Sequence, residues 1–140
     1  MKTIIFVCHG SICRSPAAAF IAKKYLKEIG RDSEFNILIR ATSSEEIGND
    51  VYPPMRRELI RRGIPLYPHA AQRIRQSDYD KADYIFFMDD ENYRKDTLYK
   101  MDLYRANGIY PGKNLLFTYE TNDNPLDIKG IRRMLKETML

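Results

Sequence analysis

The first strong apolar signal is the run Lys2-Thr3-Ile4-Ile5-Phe6-Val7, whose β-branched and aromatic residues do not alternate with polar ones. A continuous run of this kind predicts a strand buried on both faces. The period then changes. Ala18, Ile21, Ala22, Tyr25 and Ile29 recur every three or four residues, which predicts a helix with Ser15 as its cap, Pro16 in its first turn and Gly30 as its stop. Phe35–Ala41 reads as a second strand. A polar loop carrying Ser43, Ser44 and Gly48 leads to Pro53-Pro54, and Arg56–Arg62 reads as a helix ending at Gly63. Residues 78–82 read as a short connection into a third strand, Asp83–Met88, with Tyr84-Ile85-Phe86-Phe87 as its core. Asp89 or Asp90 is placed to cap a helix reaching Tyr104, Leu115-Leu116-Phe117 is a fourth strand, and Ile128, Ile131, Leu135 and Met139 mark a terminal amphipathic helix. Strands alternating with helices predict an α/β fold: a three-layer sandwich with a four-stranded parallel sheet and helices on both faces. In such sheets ligands bind beyond the carboxyl ends of the strands.

Composition narrows this picture. A chain of 140 residues, 44% hydrophobic and 30% charged, is the size of one ordinary domain, expected to span residues 1–140. No apolar run approaches the ~18 residues of a membrane helix, and the apolar stretch after Met1 is too short for a secretory signal, so a cytoplasmic protein without membrane contact is expected. The net charge of +4 favours small anions such as phosphate but lacks the concentrated basic pattern of a nucleic-acid binder. Lys23, Lys24, Lys27 and the Arg61-Arg62 pair read as solvated helix faces, and Tyr79, Tyr84 and Tyr93 as packing residues. The two cysteines, Cys8 and Cys13, lie close together near the N-terminus. In a reducing compartment that spacing signals chemistry, not a disulfide framework. Only His9 and His69 remain as further soft donors, too few for a structural zinc site, so no metal is expected.

The candidate chemistry therefore falls on Cys8-His9-Gly10-Ser11-Ile12-Cys13-Arg14-Ser15-Pro16, which joins a buried strand to a helix N-terminus. A loop this short curls so that successive backbone N–H groups point inward, and together with the helix dipole they form an anion site. The same positive potential favours a thiolate at Cys8, making it a nucleophile. Arg14 carries a planar fork that matches two oxygens of a phosphoryl group.

Cys8, five residues, Arg14 and then Ser15-Pro16, directly after an N-terminal strand, resemble the low-molecular-weight protein tyrosine phosphatase family. Ala41-Thr42-Ser43 with Glu46-Ile47-Gly48-Asn49, His69-x-Ala71, and Asp83-Tyr84-Ile85 through Met88-Asp89-x-x-Asn92 are similar to its later blocks, over roughly residues 2–119. The resemblance implies a phosphatase without cofactor, acting on phosphorylated proteins or small aryl phosphates. It implies Cys8 as the nucleophile that becomes phosphocysteine, Arg14 as the phosphate clamp, and His9 to Cys13 with Ser15 as the phosphate-binding loop. Ser15 would stabilise the thiolate, with Ser43 and His69 bracing the loop; from the residues alone, His69 reads as a structural histidine. Cys13 reads either as a disulfide partner protecting Cys8 or as packing. Three positions depart from the family pattern. Ser11 stands where Asn is usual and Glu45 where an aromatic wall is usual, leaving Tyr52 as a substitute wall. The Asp-Pro of the general acid is missing from Thr121-Asn122-Asp123-Asn124-Pro125-Leu126-Asp127. Asp123 is the expected acid and Asp127 its alternative, the latter also fitting a helix cap. Ile12 resembles the tyrosine-directed members more than arginine phosphatases, and arsenate reduction would need further downstream cysteines. A phosphate-binding module with impaired catalysis is the reading of a different class. The oligomeric state is not readable.

Overall fold

The structure is a computed structural model that describes residues 1–8, 13–87, 115–118 and 128–139, with backbone alone for 87, 115–118, 138 and 139. Strand β1 covers Lys2–Cys8, one residue beyond the expected run, so Cys8 is the last residue of the strand. Helix α1 (Arg14–Glu28) follows, then β2 (Phe35–Ala41), α2 (Pro53–Arg61), α3 (Gln76–Lys81), β3 (Tyr84–Phe87), β4 (Leu115–Thr118) and α4 (Ile128–Met139). The strands form a parallel sheet in the order β2-β1-β3-β4. The α/β class with a parallel sheet is thus present. Register places Lys2 beside Phe35 and Cys8 beside Ala41, so the carboxyl ends of β1 and β2 finish together.

Alternation along β1 divides the core. Ile4, Phe6 and Cys8 face the cluster built by α1 and α4, which includes Phe20, Leu26, Ile131 and Leu135. Ile5 and Val7 face Ile74, Tyr79, Ala82 and Ile85 on the opposite side. Both sets are buried, which is why β1 carries no polar alternation. Phe6 and Phe86 stack across β1 and β3 with centroids 5.5 Å apart. Full burial of such a side chain contributes about 1.5–3 kcal/mol.

Local expectations fail where side chains serve another purpose. Helix α1 begins at Arg14, with Cys13 as its N-cap and no side-chain capping bond. Ser15 is not the cap; it sits inside the first turn, fully buried. Helix α2 begins three residues before the expected Arg56, because Pro53 and Pro54 occupy its first positions, where a fixed φ suits the helix and a missing N–H costs nothing. The expected connection over 78–82 is largely helix. Asp78 accepts a bond from the Arg75 backbone N–H (2.9 Å) at the start of α3, and its carboxylate also takes Arg40 Nε at 3.0 Å. Asp78 is 1% exposed and Arg40 12%, so this ion pair fastens α3 to β2. The expected helix from Asp89 to Tyr104 and the end of the third strand at Met88 lie outside the described residues.

Candidate active site

The carboxyl end of β1 is held from two directions. Cys8 carbonyl oxygen accepts the Thr42 N–H at 3.0 Å, which carries the pairing of β1 and β2 one step past the strand ends. The Cys8 side chain, 2% exposed, turns into the core on the α1 side. There its thiol donates to Ser15 Oγ at 3.2 Å, a bond between two buried groups. A hydroxyl can reverse roles: once the sulfur is ionised, the same geometry lets the Ser15 O–H donate to it. The cost of a serine that does not cap its helix is thereby offset by a partner for the cysteine.

Cys13 and Arg14 enter from the helix. The Cys13 carbonyl accepts the Ala17 N–H at 3.2 Å, opening the first turn. No acidic residue stands in that turn, so its positive end is unopposed by a carboxylate of the helix itself. The half-buried Cys13 thiol is pushed above its ordinary range. Burial is the main cause and negative charge at Cys8 the second, with the Arg14 guanidinium acting weakly in the other direction. Cys13 is therefore held as a thiol at neutral pH. The intervening His9, Gly10, Ser11 and Ile12 lie outside the described residues.

Ser43 and His69 stand on two segments stitched together beside the Cys8 end of the sheet. Ala41 N–H donates to Gln72 carbonyl (2.7 Å) and Ile74 N–H to Ala41 carbonyl (2.8 Å). Further along, Gly48 N–H reaches Ala71 carbonyl (2.8 Å) and Ala71 N–H reaches Asn49 carbonyl (2.9 Å). The loop bearing Ser43 is thus clasped to the segment bearing half-buried His69. Gly48, at φ 87°, supplies the left-handed turn that a side chain would strain. Ile47 and Tyr52 extend outward from this region, 56% and 50% exposed, giving it an apolar rim. Asp123 and Asp127 lie outside the described residues. Sequence reasoning missed the clasp, because backbone bonds of an irregular segment leave no periodic trace; Ala41 and Ala71 carry it through their main chains. Among the described residues no three His, Cys, Asp or Glu side chains are grouped as a metal ion would need.

Residues 3–107 match the family described as low molecular weight phosphotyrosine protein phosphatase. The chain belongs to this family. The low molecular weight phosphotyrosine protein phosphatase of Homo sapiens is 38% identical over 96 residues, covering 66% of this chain and 58% of that relative. The chain thus spans under two thirds of that relative's length. Among solved structures, the low molecular weight protein tyrosine phosphatase of Streptococcus pyogenes superposes with a TM-score of 0.75 at 25% identity, covering all of this chain and 95% of that one. The drosophila arginine phosphatase shares the fold at 18% identity, with a TM-score of 0.76 and coverage of 100% and 99%. The family match ends before Asp123, so the departure from the family's Asp-Pro pair falls beyond it.

Proposed function

We propose that this member of the family hydrolyses phosphomonoesters, with phosphotyrosine on proteins as the main substrate class, through a phosphocysteine intermediate. The observation that carries the reading is the 3.2 Å contact between the buried Cys8 sulfur and Ser15 Oγ at the unopposed N-terminus of α1. Cys8 thiolate attacks phosphorus, forming an S–P bond while the bond to the phenolate oxygen breaks. The leaving oxygen takes its proton from Asp123, or from Asp127. Water then attacks phosphorus, returning a proton to the same carboxylate, and the thiolate departs, accepting the Ser15 hydroxyl's hydrogen bond in place of the lost bond. Arg14, with the backbone amides of His9, Gly10, Ser11, Ile12 and Cys13, holds the equatorial oxygens. Ser43 and His69 brace this loop from the clasped segments. The residues need no metal or cofactor for these steps.

This reading takes the fold as a three-layer sandwich and a single domain over residues 1–140, with the phosphate-binding loop following β1. Cysteines that form no disulfide with one another fit a reducing, cytoplasmic setting. Substrate choice within the fold rests on Ile12, whose apolar bulk matches tyrosine-directed members. A second reading, a phosphate-binding module of the same fold, draws on the missing Asp-Pro pair. The test is turnover of nitrophenyl phosphate, a phosphotyrosine peptide and phosphoarginine by the parent protein and by Cys8→Ser. Parent activity greatest on the tyrosine peptide, and none from the variant, supports the proposal. Phosphate binding without turnover of any substrate would leave the binding module.

A further inference from the structure

A cavity lies at the opposite end of the sheet from Cys8. It measures about 310 Å³ and is lined by Lys23, Leu26, Lys27, Asp32, Phe35, Asn36, Ile37 and Tyr67. Phe35 is six positions before Ala41 on β2, which at ~3.3 Å per residue puts the cavity roughly 20 Å from the Cys8 end. It is therefore separate from the candidate active site. Its inner wall is apolar: Leu26 and Phe35 are buried, and half-buried Ile37 and Tyr67 pack on the same core. Tyr67 is fixed against Phe20, ring centroids 5.5 Å apart.

Lys23 is the unusual element. Its ammonium lies 4.2 Å from the centre of the Tyr67 ring and 6.0 Å from that of Phe20. Lys23 is half-buried, contrary to the expectation of a solvated face for Lys23, Lys24 and Lys27. Lys24, one residue on, reaches Glu28 at 3.6 Å. Among the described residues no carboxylate stands within 4.0 Å of the Lys23 ammonium, although Asp32 shares the cavity. Burial pushes the ammonium below the usual lysine range. A partly dehydrated cation whose partners are two rings is held at a cost that an incoming anion would offset.

We propose that this cavity is a binding site for a small aromatic monocarboxylate, its ring on Leu26, Phe35 and Ile37 and its carboxylate on Lys23. The volume, at the low end of the roughly 300–1,000 Å³ range of ligand pockets, sets the size at one or two fused rings. Lys27 adds a second positive charge at the wall, whereas Asp32 opposes a dianion and so favours a carboxylate over a phosphate monoester. A cationic or neutral ligand of the same shape would leave Lys23 uncompensated.

The test is methyl NMR of the parent protein titrated with 2-naphthoate, beside 2-naphthamide and 2-naphthylmethylamine. The site predicts saturable shifts at Leu26 and Ile37 with naphthoate, about tenfold or more tighter than with either control, as expected for one charge-assisted contact. Lys23→Met should weaken naphthoate by the same factor, and Lys23→Arg should retain most of the affinity, with amide spectra verifying that both variants are folded. Equal binding of the three probes, shifts confined to Ile12 and Ile47 near the candidate active site, or no saturation would overturn the proposal. None of these readouts depends on catalysis, so the site stands or falls separately from the phosphatase reading.

Discussion

At the scale of single residues the decisive feature is a division of labour between two sulfurs. Cys8 is the buried end of a strand with a hydroxyl 3.2 Å away, whereas Cys13 is raised by burial and by its neighbour's charge. Cys13 should accordingly resist iodoacetamide at pH 7 and react only as the pH rises above the ordinary thiol range. Cys8→Ser removes one of the two causes that raise Cys13, so Cys13 should then react faster at a given pH; mass spectrometry of timed samples reads this directly. An unchanged rate in that variant would mean that Cys8 carries no charge felt at Cys13. Ser15→Ala should slow breakdown of the phosphoenzyme more than its formation, seen as a larger burst relative to steady-state turnover, because the hydroxyl's bond to the thiolate is given up as sulfur attacks and regained as it departs. Arg14→Lys should weaken both phosphate binding and turnover, since an ammonium cannot make the two-pronged contact.

At the scale of elements, the Arg40–Asp78 pair shows how a short helix is held in place. α3 has six residues with the sequence Gln-Ser-Asp-Tyr-Asp-Lys, which carries no apolar period. That is why the sequence pattern predicts a connection there: the helix depends on Arg40, 38 positions away, and on burial of Tyr79. Arg40→Met strands Asp78 without its main partner and should cost about 3–5 kcal/mol of stability in denaturant unfolding. Adding Asp78→Asn should recover part of that loss; if the double variant is no better than the single, the pair is not the cause. By contrast β1, β2 and α4 are legible, because their apolar residues are consecutive or evenly spaced, and β1 buries Ile4 to Val7 while α4 buries Ile131 and Leu135. Ser15 reads as a cap because a serine before a helix satisfies backbone N–H groups in most chains, and only tertiary structure reveals that Cys8 takes its hydroxyl. Pro53-Pro54 is ambiguous for a similar reason: proline can end one helix or open the next, and here both prolines open α2.

At the scale of the whole molecule, a parallel sheet brings the ends of β1 and β2 together and clasps the loops beyond them, so the candidate site is assembled from residues far apart in sequence. The strand, cysteine, arginine and serine of that site are readable as a motif; the clasp between Gly48, Asn49 and Ala71 is not, since it uses main-chain groups that every residue has. The general acid is a question for the chain beyond the family match. General-acid assistance contributes about 10²–10⁴ in rate, chiefly for poor leaving groups. Asp123→Asn should therefore depress phenyl phosphate hydrolysis far more than nitrophenyl phosphate hydrolysis, and Asp127→Asn should do so less. If neither variant shows that selectivity, the loop supplies no working acid. The central claim is the covalent step at Cys8, and a rapid denaturing quench of the protein during turnover of a ³²P-labelled aryl phosphate, with peptide mapping of the product, tests it most directly. The account predicts label on the peptide containing Cys8, bound through sulfur as phosphocysteine and lost in Cys8→Ser. Turnover without label on that peptide, or with label on another residue, would contradict it.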